Sequence, residues 1–387
     1  MRTRSLIFCS TLIVAACTSL PTDLSDQVRV EGNRVADWQL AHMDDFGYVR
    51  SFTEETSQGT GWVQAAFYIG LARWAAATGN PRYRAALVGR ARANDWRLGP
   101  RSWHADDQAI AQLYLALAPS SDAARTENIE SAFDSILASP PDNSLEFLPE
   151  SGGQPEGTCQ RRWCWCDALF MAPPAWVMLS RVTGDRRYRD YALHEYFATV
   201  EYLFDAERHL FYRDSRFFER RTPEGHRVFW SRGNGWVFAG LPALLEALPA
   251  DDPARGRLLA LYRGMAAALA ALQRPSGYWR SSLLDSSEDA PPETSGTAFI
   301  TFGLAWGINR GLLSRDDYAG TVQKGWRALL EAVDTEGRLG WVQQIGNAPD
   351  DVRATDAQLY GSGAFLLAAS EMIERYSAPG SSSLPRR

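Results

Sequence analysis

Five short clusters hold the carboxylates, guanidinium groups and indoles from which any chemistry must be built. Trp103-His104-Ala105-Asp106-Asp107-Gln108 sets two carboxylates side by side, just after a His. At a helix start one such Asp caps free amides and another favours the positive end of the dipole, the competing role for the pair being acid–base work. In Arg162-Trp163-Cys164-Trp165-Cys166-Asp167 an Asp follows two indoles. Partial desolvation there raises a carboxyl's pKa and lets it hold a proton near neutrality, as a general acid must. Its alternative is again an N-cap. In Trp230-Ser231-Arg232-Gly233-Asn234-Gly235-Trp236 the two glycines predict a tight turn that aims Arg232 and Trp236 in one direction. A guanidinium beside an indole suits a sugar ring bearing a carboxylate, and otherwise the same residues pin a loop to the rim of the fold. Arg213, expected on a short hairpin in Phe211-Tyr212-Arg213-Asp214, adds a second cation, and Trp279 in Gly277-Tyr278-Trp279-Arg280 a further indole.

Other chemistries lack their residues. The five His, at 42, 104, 194, 209 and 226, include no pair with metal-ligand spacing on one helix face. There is no serine elbow, phosphate loop or dinucleotide fingerprint, so a carboxylate enzyme that uses neither metal nor cofactor and acts on sugars is the reading left. The 46 acidic and 40 basic residues give a net charge of −6, which offers no excess to neutralise phosphates and argues against a nucleic-acid partner. The 14 Trp, 14 Tyr and 17 Phe exceed what a purely structural helical bundle needs and suggest a ring-shaped ligand.

The elements that must position these clusters are helical. With 387 residues, 45% apolar and 22% charged, the chain can bury a large core. Apolar residues recur at helical spacing nearly throughout. Segments at about 61–77, 106–118, 168–183, 235–248, 296–310 and 361–375 are rich in Gly, Ala and aromatics. Between them, at about 27–43, 81–95, 123–138, 187–203, 254–272 and 315–333, lie amphipathic segments carrying Arg and acids. A helix apolar on most of its circumference is buried on most sides, and an amphipathic one buries a stripe. Six inner helices wrapped by six outer ones satisfy both, predicting an all-α (α/α)6 barrel rather than a solenoid of hairpins. The echoes TGNPRYRAAL and TGDRRYRDYAL mark two of the inner-to-outer turns. The long connections 139–167, 204–234 and 334–360 all precede inner helices, so they share one end, where loops on a rigid scaffold build a site.

At the N-terminus, Arg2 and Arg4 precede an apolar run from Leu6 to Ala16 and then Cys17, the layout of a signal peptide over residues 1–16. Val14-Ala15-Ala16-Cys17 is similar to a bacterial lipobox, which predicts lipidation of Cys17, a tether over 17–26 and export to the periplasm or outer membrane, the alternative being an ordinary cleaved signal. The lipid anchor is then the only membrane contact expected. A barrel over 27–376 and a tail over 377–387 complete the chain. Of Cys159, Cys164 and Cys166, an odd number, a Cys159–Cys164 bridge is expected in an exported protein, with zinc ligation the alternative.

The strings WCDALFMAPP, SRGNGWVFAGL, GYWRSSLLD, ETSGTAFITFGLAWGINRGLL and QLYGSGAFLLA resemble the unsaturated rhamnogalacturonyl hydrolases of glycoside hydrolase family 105, with unsaturated glucuronyl hydrolases as a more distant group. The resemblance runs from about residue 30 to 376. It implies an (α/α)6 barrel that removes the 4,5-unsaturated uronic acid left at the non-reducing end by polysaccharide lyases. It further implies that an Asp protonates C4 of the vinyl ether and activates water for addition at C5, unlike a pair of carboxylates flanking a glycosidic bond. On matching positions Asp167 takes this role and Asp106 or Asp107 supports it. Trp165 and Met171 line the subsite, and Arg232 and Trp236 hold the ring and its carboxylate. Rhamnogalacturonan-specific members carry His where this chain has Arg213, which leaves ulvan-type and other unsaturated glucuronyl substrates open. An inverting hydrolase of saturated glycans and a non-catalytic glycan-binding lipoprotein are the competing readings.

Overall fold

A computed structural model describes residues 24–117, 126–147, 158–287 and 289–377. The signal segment, Cys17, most of the tether and residues 378–387 lie outside these. The chain opens with α1 (Leu24–Ala41), the one-turn α2 (Glu54–Ser57), α3 (Trp62–Thr78) and α4 (Pro81–Ala93). Next come α5 (Ala105–Gln108), α6 (Ala111–Leu117), α7 (Glu127–Ala138), α8 (Ala168–Met171), α9 (Pro173–Thr183) and α10 (Arg186–Leu203). A hairpin of β1 (Phe204–Asp205) and β2 (Leu210–Phe211) leads into α11 (Ser231–Ala247), α12 (Ala254–Ala271), α13 (Thr294–Asn309), α14 (Arg315–Glu331) and α15 (Leu359–Ser377). The inner ring consists of α3, α5–α6, α8–α9, α11, α13 and α15, each touching the next, with α15 returning onto α3. The outer six are α1, α4, α7, α10, α12 and α14.

Burial separates the two classes as the composition predicts. On α13 every residue from Thr294 to Ile308 is buried, whereas α14 buries only Val322, Gly325, Trp326, Ala328 and Leu329. Closure of the ring depends on small residues. A β-carbon at Gly70 of α3 would lie 2.1 Å from the Gly363 carbonyl of α15, so only glycine permits that approach. The two echoes form matching turns. Gly79 and Gly184 end α3 and α9 at φ 67° and 77°, and Asn80 and Asp185 accept hydrogen bonds from the amides of Arg82 and Arg187 to start α4 and α10.

Two local expectations are corrected, for the Arg232–Trp236 segment and for the end of the tether, and one inner segment is divided in two. The Arg232–Trp236 segment is not a tight turn. It forms the start of α11, where its glycines allow close approach, a β-carbon at Gly235 falling 3.0 Å from that of Phe299. Pro173 and Pro174 break the third inner helix into α8 and α9, because proline at that point removes helical donors. Residues 24–26, read as tether, already belong to α1, whose first turn gains from Asp26.

Candidate active site

The amino ends of the inner helices enclose a cavity of about 400 Å³ lined by Trp165, Asp167, Met171, His104, Asp106, Arg213 and Arg232. Seven of the ten side chains singled out from the sequence therefore meet in one place. Asp107, Trp236 and Trp279 do not line it. Asp107 is fully buried beneath the cavity, where it accepts from the Arg101 amide at 2.6 Å and from its guanidinium at 2.8 Å. It fixes the 99–107 loop, which leaves Asp106 as the carboxylate of the pair that faces the cavity. Trp236 lies deeper in α11, against Phe170 and Phe299 at ring separations of 4.7 and 4.2 Å, and belongs to the core. Trp279 points toward the outer layer, its indole N–H donating to the Leu269 carbonyl at 2.7 Å.

The capping roles weighed for the acids are filled in another way. His104 caps α5 by accepting the Asp106 amide at Nδ1, 3.3 Å away. Accepting there places the ring proton on Nε2, and burial together with the charges of Arg101 and Arg213 lowers the His104 pKa to about 3, so the ring is neutral. Its 3.7 Å approach to the Asp106 carboxylate is accordingly not an ion pair. Asp167 occupies the N-cap position of α8 but makes no cap hydrogen bond. Its Oδ2 meets the Cys166 thiol at 3.4 Å and the Arg213 Nε at 3.6 Å. Its other oxygen has no partner among the described residues.

Asp167 thus faces a cation, and burial pushes the Asp106 carboxyl up to about 8. Glu55 and Asp167 add to that rise, and Arg101 and Arg213 oppose it. Arg213 is held by Asp214 at 2.7 Å, and Asp214, fully buried, also binds Arg216 at 2.8 Å. The Nη2 of Arg213 makes no hydrogen bond among the described residues, so this cation is available to a ligand.

Glu55, Trp62, Gln160, Trp230 and the 345–347 loop also line the cavity and were not singled out. Trp62 had a legible signal, since it opens the first inner helix, the same position that Asp106, Asp167 and Arg232 hold at the starts of the next three. Its indole donates to Glu55 at 3.0 Å and stacks on Tyr360 at 5.2 Å. Nearby, Cys159 and Cys164 form a disulfide and Cys166 is a buried free thiol, which removes the zinc alternative for the bridged pair. A larger cavity, 580 Å³, opens at the opposite end of the barrel and contains none of the predicted residues.

Comparison with known proteins converges on the same chemistry. The chain is 45% identical over 349 residues to the unsaturated 3S-rhamnoglycuronyl hydrolase of Alteromonas sp. (strain LOR), covering 88% of this chain and 84% of that protein. It is 38% identical over 327 residues to the enzyme of the same name from Formosa agariphila, covering 81% and 85%. Among solved structures, a glycosyl hydrolase family 88 protein from Bacteroides vulgatus superimposes with a TM-score of 0.77 at 28% identity, over 90% of this chain and 99% of that one. The profile of Glycosyl Hydrolase Family 88 matches residues 32–376. With a six-hairpin barrel and a carboxylate cavity at the amino ends of its inner helices, the chain belongs to Glycosyl Hydrolase Family 88.

Proposed function

We propose that the protein is a glycosidase that removes a 4,5-unsaturated uronic acid from the non-reducing end of lyase-generated oligosaccharides, with 3-sulfated rhamnose as the neighbouring sugar. The observation that carries the reading is Asp167, which lines the cavity with one oxygen anchored by Cys166 and Arg213 and the other without a partner among the described residues. In this role Asp167 delivers a proton to C4 of the vinyl ether and recovers one from the water whose oxygen bonds to C5. The hemiketal so formed opens and releases the neighbouring sugar, and the Asp ends in its starting state. C6 of the uronate is attached to C5, one bond from C4, so Arg213 beside Asp167 is placed to hold that carboxylate. Trp165 and Trp62 offer faces for sugar stacking. The neighbouring sugar is our reading of the two relatives named unsaturated 3S-rhamnoglycuronyl hydrolase. The lipobox at Cys17 supports export as a lipoprotein to the periplasm or outer membrane.

The test follows the ultraviolet absorbance of the conjugated alkene during incubation with lyase-generated unsaturated disaccharides. The wild-type protein bleaches it, and Asp167→Asn, at unchanged Tm, slows bleaching by at least about a thousandfold. Release of sugar from saturated chains without bleaching would identify an inverting hydrolase. Binding without turnover would identify a glycan-binding protein. Either result overturns the proposal.

A further inference from the structure

Arg232 is fully buried, and among the described residues it has no carboxylate partner. Its guanidinium lies over the Trp230 ring at 4.4 Å and the Tyr360 ring at 4.8 Å. Nη1 donates to the Gln343 carbonyl at 2.5 Å and to the Tyr360 hydroxyl at 3.1 Å. Nη2 donates to the carbonyls of Gln344 at 3.0 Å and Gly346 at 3.4 Å. Both η nitrogens are thereby committed to the backbone of one loop and to the tyrosine that supports it.

The same loop is tied from three further directions. Gln343 accepts at Oε1 from the Trp230 indole at 2.9 Å and the Ser281 hydroxyl at 2.7 Å. Its amide donates to buried Glu293, which caps α13 through the amides of Ser295 and Gly296. The Tyr360 hydroxyl, on α15, donates to the Gln343 carbonyl at 2.5 Å. Entry to the loop is through Trp341, held at φ 57° while its carbonyl accepts the Thr294 amide, an unfavourable backbone conformation retained because its surroundings fix it. Residues 345–347, presented by this clamp, form one wall of the cavity.

We propose that Arg232 is a positioning residue. It holds the 343–347 loop as a preformed wall across the starts of α11, α13 and α15, and it leaves the substrate carboxylate to Arg213. The proposal rests on the reading of the cavity as a uronide site, and it specifies which of the two arginines reads charge. A lysine at 232 retains the positive charge but has no planar fork to span three carbonyls and two rings.

The experiment compares Arg232→Lys and Arg213→Gln on an unsaturated disaccharide and on its C6 methyl ester, with hydrogen exchange at the amides of Val342 and Gln343. Losing several charge-assisted bonds, Arg232→Lys raises KM for acid and ester by the same factor, on the order of tenfold or more, and speeds exchange at both amides. Arg213→Gln raises KM for the acid alone and leaves exchange unchanged. If Arg232→Lys weakens only the acid, with exchange as in the wild type, Arg232 holds the carboxylate itself and the proposal is overturned. Tyr360→Phe loosens the same loop without touching charge and gives the same readouts, with a smaller effect expected, should the lysine variant not fold. Failure of the wild type to act on either sugar would remove the uronide assignment, whereas exchange would still report whether Arg232 holds the loop.

Discussion

Asp106 shows how burial keeps one carboxyl protonated beside a second, Asp167, that is held by a cation. Its pKa lies at about 8, raised from 3.8 chiefly by burial, with Glu55 and Asp167 adding negative charge and Arg101 and Arg213 supplying positive charge. His104, the nearest titratable ring, stays neutral and does not compensate. A folded-state pKa above the unfolded one means that the folded protein binds the extra proton between the two values. The associated stability is therefore fully present below about pH 4 and is lost as pH rises through about 8. Asp106→Asn keeps a neutral side chain at every pH. We expect wild type and variant to have similar stability near pH 4 and the variant to be more stable by on the order of 2 kcal/mol at pH 9, measured by urea denaturation. Parallel pH profiles for the two proteins would show that Asp106 is ionised throughout. The same protonation gives kcat/KM an alkaline fall near pH 8 if the neutral acid donates a hydrogen bond to substrate.

Elements carry the site through the first turns of the inner helices, and Asn234 is where one element fixes another. Its side chain accepts the Phe211 amide at 2.7 Å and donates to the Phe211 carbonyl at 3.0 Å, fastening the β1–β2 hairpin to the start of α11. Arg213 follows two residues later. Asn234→Ala leaves a buried amide and carbonyl without partners, which costs roughly 2–3 kcal/mol in denaturant unfolding and shifts Arg213 enough to raise KM more than it lowers kcat. An unchanged KM would mean that Asp214 alone places Arg213. The helices themselves were legible in the sequence because burial on all sides and burial on one stripe leave different residue patterns. What the patterns lacked was depth. Asp106, Asp167 and Arg232 stand at or beside a first turn and reach the cavity, while Trp236 sits one turn, about 5.4 Å, further along α11 and is core. Trp279 was misplaced for a different reason, since residue type does not reveal that a loop indole turns toward an outer helix. Glu55 gave no local signal, as its place beside Trp62 depends on a contact that only the folded ring creates.

At the scale of the molecule, the alternation of inner and outer helices gives the barrel two unlike ends. Every inner helix begins at the cavity end, so every outer helix begins at the other, where short turns such as Gly79-Asn80 and Gly184-Asp185 lie. Leu24, at the start of outer α1, is therefore at the end opposite the cavity, and Cys17 precedes it in the chain. Among the described residues no helix is long and apolar enough to cross a membrane. A lipid on Cys17 would attach the barrel by its closed-turn end and leave the cavity facing away from the bilayer, toward diffusing oligosaccharides. That orientation makes anchorage and catalysis separable. We expect Cys17→Ala to move the protein from the membrane fraction to the soluble fraction of the expressing cells, with kcat/KM on soluble unsaturated disaccharides unchanged within about twofold, because the substitution lies at the far end from Asp167. Retention in the membrane fraction of a variant whose residues 1–16 have been removed would rule out Cys17 as the anchor. A large loss of activity in the released protein would instead show that the two ends of the barrel are coupled.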